Sequence, residues 1–122
     1  MLRATRTLLV IGTFVLAAGP LRAQRRPIMT EEIERAGVTI QSAYDAVETL
    51  RPRWLKPPLE LPTARIRVYQ GERDMGDIDY LKTIPAERVF TIYWYSMNEA
   101  GTHYGRSEGP VIAVTMKPAG PP

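Results

Sequence analysis

The chain offers few side chains for acid–base or nucleophilic chemistry. It has one histidine, His103, and no cysteine. A hydrolase needs a nucleophile, a base and an orienting acid within hydrogen-bond reach, whereas His103 stands on a short predicted helix next to a loop. We interpret it as a packing or surface residue. Zinc usually takes three or four His, Cys or carboxylate ligands, so the same scarcity disfavours a metal site, and no cofactor is implied.

Three aspartates lie within six residues, in the run Asp74-Met75-Gly76-Asp77-Ile78-Asp79. A calcium-binding EF-hand needs ligands at alternating positions, glycine at the sixth and glutamate at the twelfth, and that spacing is missing here. We expect Asp77 and Asp79 on the solvent side of a strand and Asp74 in a turn. Paired carboxylates also serve glycosidases, but a domain this small suggests no deep cleft for a sugar.

Three tyrosines, Tyr69, Tyr93 and Tyr95, are predicted on strand faces. They are suited to form an aromatic surface for a partner or a sugar. Ordinary cross-strand packing under a helix explains them equally simply, and we favour that interpretation. With no phosphate-binding glycine pattern either, the sequence predicts a protein that is not an enzyme.

The amino terminus has the layout of a secretory signal peptide, predicted to cover residues 1–23. Two arginines precede an apolar run at residues 8–18, a Gly-Pro break follows, and cleavage is expected after Ala23. The alternative is an uncleaved anchor, because Leu21 is not the small residue preferred near such a site. Three of the 16 basic residues, Arg3, Arg6 and Arg22, lie in this segment, which leaves 13 basic and 13 acidic residues. Nucleic-acid binding thus loses its main support.

The remaining chain suffices for one small domain, expected at residues 24–117 with a disordered tail at 118–122. Thr30 is predicted to cap a helix that stops at Gly37. A second helix is expected at residues 42–50, where Ser42 and Asp45 have capping-box spacing. A proline-rich connector at residues 52–63 is expected to lie extended against the core, because it carries a tryptophan and three leucines.

The second half of the domain is predicted to be rich in strands. Alternating residues predict strands at 64–70 and 89–96, the latter with Phe90, Ile92 and Trp94 on one face. A turn is expected at 71–76, a short strand or extended return at 77–81, and a helical turn at 84–88. A helix at 98–104 stopped by Gly105 precedes a last strand at 111–116. These elements predict an α+β fold of two layers, with two amino-terminal helices and a mixed sheet with a short helical crossover.

In this order the chain resembles the plug domain of TonB-dependent outer-membrane receptors. The family's two opening helix motifs have counterparts in MTEEIERAG at residues 29–37 and SAYDAVETLRP at residues 42–52. Its strand-turn motif corresponds to VYQG at 68–71, and its next motif to IPAERVFTI at 84–92. The closing motif corresponds to Ala100, to Tyr104-Gly105 and to GPVIAVTMK at 109–117.

The resemblance implies a plug-like fold and a place in the periplasm or on the periplasmic side of the outer membrane. The receptors enclose their plug in a barrel several hundred residues long, so we expect a plug-like module without a barrel. Gln70 replaces the acidic residue common in the turn, and Pro110 interrupts the run from glycine into the last strand. The family's ligand contacts are therefore not carried over to this chain.

We accordingly expect an exported, non-catalytic binding module whose partner is an envelope protein or a ligand. Contact is expected at two groups of turn residues: Gly71, Arg73 and Asp74; and Tyr104, Gly105, Arg106 and Gly109. One alternative is a truncated receptor remnant or structural module with no ligand. A less favoured alternative is a small periplasmic hydrolase that uses His103 and Asp77. Nucleic acid is not expected as a partner, and no membrane-spanning segment is expected after signal cleavage.

Overall fold

The structure, a computed structural model, describes residues 25–105 and 107–118. The expected signal peptide at 1–23, Arg106 and residues 119–122 of the expected tail lie outside the described residues. The helices are α1 (Thr30–Ala36), α2 (Ala43–Leu50) and α3 (Met97–Tyr104). The strands are β1 (Ile28–Met29), β2 (Arg67–Gln70), β3 (Arg73–Gly76), β4 (Val89–Tyr95) and β5 (Val111–Met116).

The five strands form one mixed sheet in the order β1-β4-β5-β2-β3. β2 and β5 run parallel, with Arg67 opposite Val111 and Gln70 opposite Val114. The other neighbouring pairs are antiparallel. The predicted α+β fold with a mixed sheet is therefore confirmed. The helix expected between the last two strands, α3, connects the antiparallel neighbours β4 and β5.

The main core lies between the sheet and the α1–α2 pair. Ile112 and Val114 of β5 and Val68 of β2 point to this side, because residues two apart share one face of a strand. They pack with residues from both helices and from the connecting turns: Ile33, Ile40, Ala43, Ala46, Val47, Trp54, Leu81 and Ile84. Most of the buried apolar side chains belong to this layer.

A second, smaller cluster lies on the opposite side of the sheet, which we call the α3 face. It is formed by Tyr69, Tyr93, Tyr95, Val111 and Ala113, since Tyr93 pairs with Ala113 and Ala113 with Tyr69. Ala100 of α3 is buried against Val111 and Ala113. The sheet thus carries a helix on each side, but the two sides bury very different amounts of apolar surface.

The helix boundaries follow local hydrogen bonds. Ser42 caps α2: its hydroxyl accepts from the Asp45 amide, and the Asp45 carboxylate accepts from the Ser42 amide in return. This confirms the predicted capping box. The predicted cap at Thr30 is wrong. Thr30 is the first residue of α1, and its hydroxyl donates to the Phe90 carbonyl at 2.7 Å, so it ties the helix to β4 instead.

The predicted alternation of β4 fails at Phe90. Val89 pairs with Met116 and Thr91 with Thr115, so Phe90 is an extra residue with no place in the register. Such a β-bulge shifts the alternation of all residues on one side of it. Val89 and Ile92 consequently both enter the main core, whereas Phe90 is 48% exposed. Phe90 and Ile92 therefore do not share a face.

Three further expectations are corrected between the helices and β4. The connector opens with a 3-10 turn at Pro52–Leu55 that buries Trp54, but Leu59 is 95% exposed, so only its first part lies against the core. The strand expected at 64–70 begins at Arg67. Residues Ile78–Thr83 form a 3-10 turn rather than a strand. The helical turn expected after Pro85 is present at Ala86–Arg88.

Arg51, directly after α2, is a buried charged residue with several hydrogen-bond partners. It is only 4% exposed. Its guanidinium donates to both carboxylate oxygens of Glu32 at 2.8 and 3.0 Å and to the carbonyl of Arg26 at 3.1 Å. It also lies 5.8 Å from the centre of the Trp54 ring. One charged group therefore joins α1, the segment before β1 and the turn after α2.

We expect Arg51→Ala to lower the free energy of unfolding by about 3 kcal/mol, because it leaves the partly buried Glu32 carboxylate without its partner. Urea denaturation followed by circular dichroism measures the change. Arg53→Ala is the matched control: Arg53 is an exposed arginine on the next turn, and its loss should change stability by no more than about 0.5 kcal/mol. Equal effects of the two substitutions would contradict the role given to Arg51.

Candidate functional site

The residues considered for catalysis do not form a catalytic arrangement. His103 lies on the exposed side of α3, where its ring stacks on Tyr95 with centroids 5.1 Å apart. Asp77 caps the 3-10 turn that follows β3, its carboxylate accepting from the Asp79 amide. The hydrogen bonds and ion pairs found among residues 25–105 and 107–118 include none that joins His103 to an acid. Each residue has a local structural role instead.

The other two aspartates of the run 74–79, Asp74 and Asp79, are engaged in ion pairs. Asp74 lies on β3 and accepts from the Arg67 guanidinium at 2.9 and 3.2 Å, so the expectation that it stands in a turn is wrong. Partial burial works to raise the pKa of Asp74, but hydrogen bonds from Arg67 and from the Gly76 amide outweigh it and lower the pKa. Asp79 pairs with Lys82 at 3.1 Å. In the described part of the chain, no group of His, Cys, Asp or Glu has the arrangement of a metal site.

The first group of predicted contact residues is spread over a hairpin. Gly71 is exposed in the tight turn between β2 and β3 and has a φ of 64°, which favours glycine. Arg73 follows as the first residue of β3 and is exposed. Asp74 is turned toward Arg67, as described above. Gly71 and Arg73 thus remain available at the surface, while Asp74 is occupied within the chain.

The second group is mainly structural in its contacts. Tyr104 ends α3 and stacks on Tyr69 with ring centroids 4.0 Å apart. Gly105 ends the helix in the left-handed conformation, with φ 85°. Gly109 is buried against the backbone of Arg65, where a Cβ atom would overlap the carbonyl oxygen. Arg106 lies outside the described residues.

Gly71 and Gly109, one from each predicted group, lie at opposite ends of β2, although Tyr104 of the second group approaches the first by stacking on Tyr69. β2 and β5 are parallel, so the turn at Gly71 follows the carboxyl end of β2 whereas the loop containing Gly109 precedes the amino end of β5. The Arg67 amide donates to the Pro110 carbonyl, which fixes that loop at the start of β2. Strand length therefore separates the two turns along the sheet.

The α3 face brings the aromatic side chains together. The Tyr95 ring stacks on two others, those of Tyr93 and His103. The centroids of Tyr93 and Tyr95 are 6.3 Å apart, and both partner rings are nearly parallel to the Tyr95 ring. Tyr104 meets Tyr95 edge to face at 6.0 Å. Offset stacked and edge-to-face geometries are the favourable ones for aromatic pairs. The packing favoured from sequence for Tyr69 and Tyr95 is thus present, and Tyr104 joins it.

This face is only partly covered by α3. Tyr93 keeps 39% of its surface exposed. Seven large apolar residues are exposed among those described, and four of them stand on β1, on β4 or at the start of α3: Met29, Phe90, Tyr93 and Met97. A shallow groove of about 510 Å³ on this face is lined by Tyr95, Asn98, Glu99, Thr102 and His103. Four of the seven exposed apolar side chains therefore lie on β4 or on the elements next to it.

A second shallow groove, of about 540 Å³, lies at the start of α2. It is lined by Gln41, Ser42, Tyr44, Asp45, Lys82, Thr83, Ile84 and Pro85. The Lys82 ammonium lies 4.8 Å from the centre of the Tyr44 ring and also pairs with Asp79. Lys82, a charged side chain that lines this second groove, is thus already engaged by its neighbours. We therefore regard the α3 face as the better candidate for a binding surface.

Comparison of the chain with models of known protein families, with curated proteins and with solved structures finds no match. Within residues 25–105 and 107–118, no helix has the length and apolar character needed to cross a membrane. The function is therefore inferred from this chain's own residues and geometry.

The position of Gly109 makes a stability prediction. Gly109→Ala should lower the free energy of unfolding by about 2 kcal/mol, because the added Cβ would overlap the Arg65 carbonyl and approach the Ala64 Cβ to 3.1 Å. Gly101→Ala is the matched control: it has open space around its Cβ, and it should stabilise the protein by up to about 1 kcal/mol. Thermal or urea unfolding compares the two, and a Gly109→Ala protein as stable as the parent would refute the packing argument.

The burial of Tyr104 predicts how the stability of the protein depends on pH. Burial, together with Tyr95, Glu72 and Tyr69 nearby, raises the pKa of Tyr104 to about 12 from 10.0. The folded state therefore favours the neutral phenol, and this contribution to stability is complete below pH 10 and is lost as the pH rises toward 12. The free energy of unfolding should fall over this window, and Tyr104→Phe should make the fall shallower. An unchanged pH dependence in Tyr104→Phe would contradict the assignment.

Proposed function

We propose that this protein is an exported, non-catalytic binding module of the cell envelope, with a plug-like fold and a docking surface on the α3 face. The observation that carries the proposal is the uncovered aromatic strip of that face, centred on Tyr93 beside Tyr95. Exposed apolar residues that stand together mark interaction surfaces more often than scattered ones do.

The order of elements supports the plug-like part of the proposal. Two helices are followed by a strand-turn unit and then by a strand, a helix and a return strand, which is the order that the resemblance implies. The signal-peptide layout of residues 1–23 supports export. The local roles of His103 and Asp77 favour binding over hydrolysis, because neither has a hydrogen-bonded partner for proton transfer in the part of the chain that the structure describes.

The chemistry of the strip favours a protein partner. Tyrosine presents a large rigid ring and a hydroxyl at little cost in conformational entropy, and it is enriched at the centre of protein interfaces. Met97 and Met29, both exposed next to the same strand, add adaptable apolar contacts. The exposed residues Gly71 and Arg73 remain a second predicted contact region, at the turn that follows the carboxyl end of β2.

Cell fractionation followed by pull-down tests the proposal. We expect the mature protein in the envelope fraction, and we expect the tagged protein to retain a saturable partner from envelope extract. Tyr93→Lys should abolish that binding. Leu59→Lys is the matched control, because it also replaces an exposed apolar residue with lysine but lies in the connector.

Two results would overturn the proposal. A mature protein found in the cytoplasm would refute export. Binding lost equally in both lysine variants, or no saturable partner at all, would refute the docking surface and favour the alternative of a receptor remnant or structural module without a ligand.

A further inference from the structure

Helix α3 is held to the sheet by far fewer buried side chains than α2. Ala100 is its one fully buried residue, and Tyr104 is half-buried at its end. α2 buries Ala43, Ala46 and Val47 in the main core. Elements that bury little apolar surface open at a lower free energy than the core of the same domain. The α3 face thus has a cover that is weakly attached.

The sequence of α3 also limits its own stability. Gly101 lies in the middle of the helix, in open space and without a positive φ, and glycine is a poor residue for a helix interior. The amino-terminal end is defined by a capping box between Ser96 and Glu99. The carboxyl-terminal end is Gly105 in the left-handed conformation. The helix is therefore a short unit bounded by defined turns at both ends.

The surface beneath α3 is apolar and aromatic. Val111 and Ala113 are buried under it, and Tyr69, Tyr95 and Tyr104 pack at its margin. Tyr69 touches Tyr104 across the end of the helix. Moving α3 away would expose Val111 and Ala113 next to the tyrosine strip, and it would leave the main core intact because that core lies on the other side of the sheet.

We propose that α3 is a lid that opens from the sheet independently of the rest of the domain and uncovers the aromatic face beneath it. The opening has two states: the helix docked through Ala100 and Tyr104, and the helix detached between its two end residues, Ser96 and Gly105. This inference goes beyond the proposed binding function, which uses the strip already exposed in the closed state.

Thiol labelling of two single-cysteine variants tests the lid. The chain has no cysteine of its own, and it offers two fully buried alanines on helices at opposite sides of the sheet, Ala100 on α3 and Ala46 on α2. Ala100→Cys should react with a thiol reagent at least about tenfold faster than Ala46→Cys in the absence of denaturant, because it requires only the opening of the lid. Low urea should accelerate Ala46→Cys far more than Ala100→Cys.

A second substitution tests the same equilibrium from the other direction. Gly101→Ala, added to Ala100→Cys, should slow labelling about fivefold, the effect of replacing an interior helical glycine by alanine. Added to Ala46→Cys, it should slow labelling by no more than the same factor, because global unfolding also unfolds α3. Both cysteine variants are checked for a cooperative unfolding transition. If one fails to fold, hydrogen exchange of the unsubstituted protein compares the amides of α3 with those of β4.

Equal labelling rates at the two positions, or equal exchange protection of α3 and β4, would overturn the lid. So would a labelling rate of Ala100→Cys that is unchanged by Gly101→Ala. None of these outcomes bears on export or on pull-down through Tyr93, so failure of the lid and failure of the proposed function are distinguishable.

Discussion

The buried charge of Arg51 is the constraint on which the rest of the domain depends. A guanidinium that is taken out of water must have its donors satisfied, and here one carboxylate and two backbone carbonyls do so. These acceptors belong to different parts of the chain: the segment before β1, helix α1 and the end of α2. Since β1 is only two residues long, the bond from Arg51 to the Arg26 carbonyl adds to its short ladder with β4. The charge thereby fixes the arrangement of the first half of the domain.

The two sides of the sheet serve different purposes. The side under α1 and α2 contains most of the buried apolar residues and includes contributions from the connecting turns, so it determines stability. The α3 face has a short cover, exposed aromatic rings and polar side chains such as Asn98 and Thr102 along its rim. A sheet that is buried on one side is rigid enough to present the other side in a fixed geometry. The proposed binding function uses this difference.

The sequence predicts an element correctly where the contacts that set its boundaries are close in sequence. The capping box of Ser42 and Asp45, the stop at Gly105 and the strand of β-branched residues at Val111–Met116 are set within a few positions. The errors concern residues whose partner is distant. The sequence predicts Thr30 as a cap of its own helix, whereas its hydrogen-bond partner on β4 is 60 residues away. It predicts Asp74 in a turn, whereas the partner of Asp74 is Arg67 on the neighbouring strand. The capping box of Ser96 and Glu99 at the start of α3 is set by the same local spacing. The convergence of Tyr69 and Tyr104 depends on strand order, which no single sequence pattern contains.

The ion pair of Asp74 and Arg67 has a consequence for the solubility of the protein. β3 is an edge strand, and free edges invite other chains to add strands and form aggregates. Here the Asp74 carboxylate occupies the Gly76 amide, a register shift interrupts the ladder at Val68/Tyr69, and Arg73 places a further charge on a strand only four residues long. The chain has no cysteine and so no disulfide to hold it together. The β3 edge is therefore a poor template for strand addition by another copy of the chain.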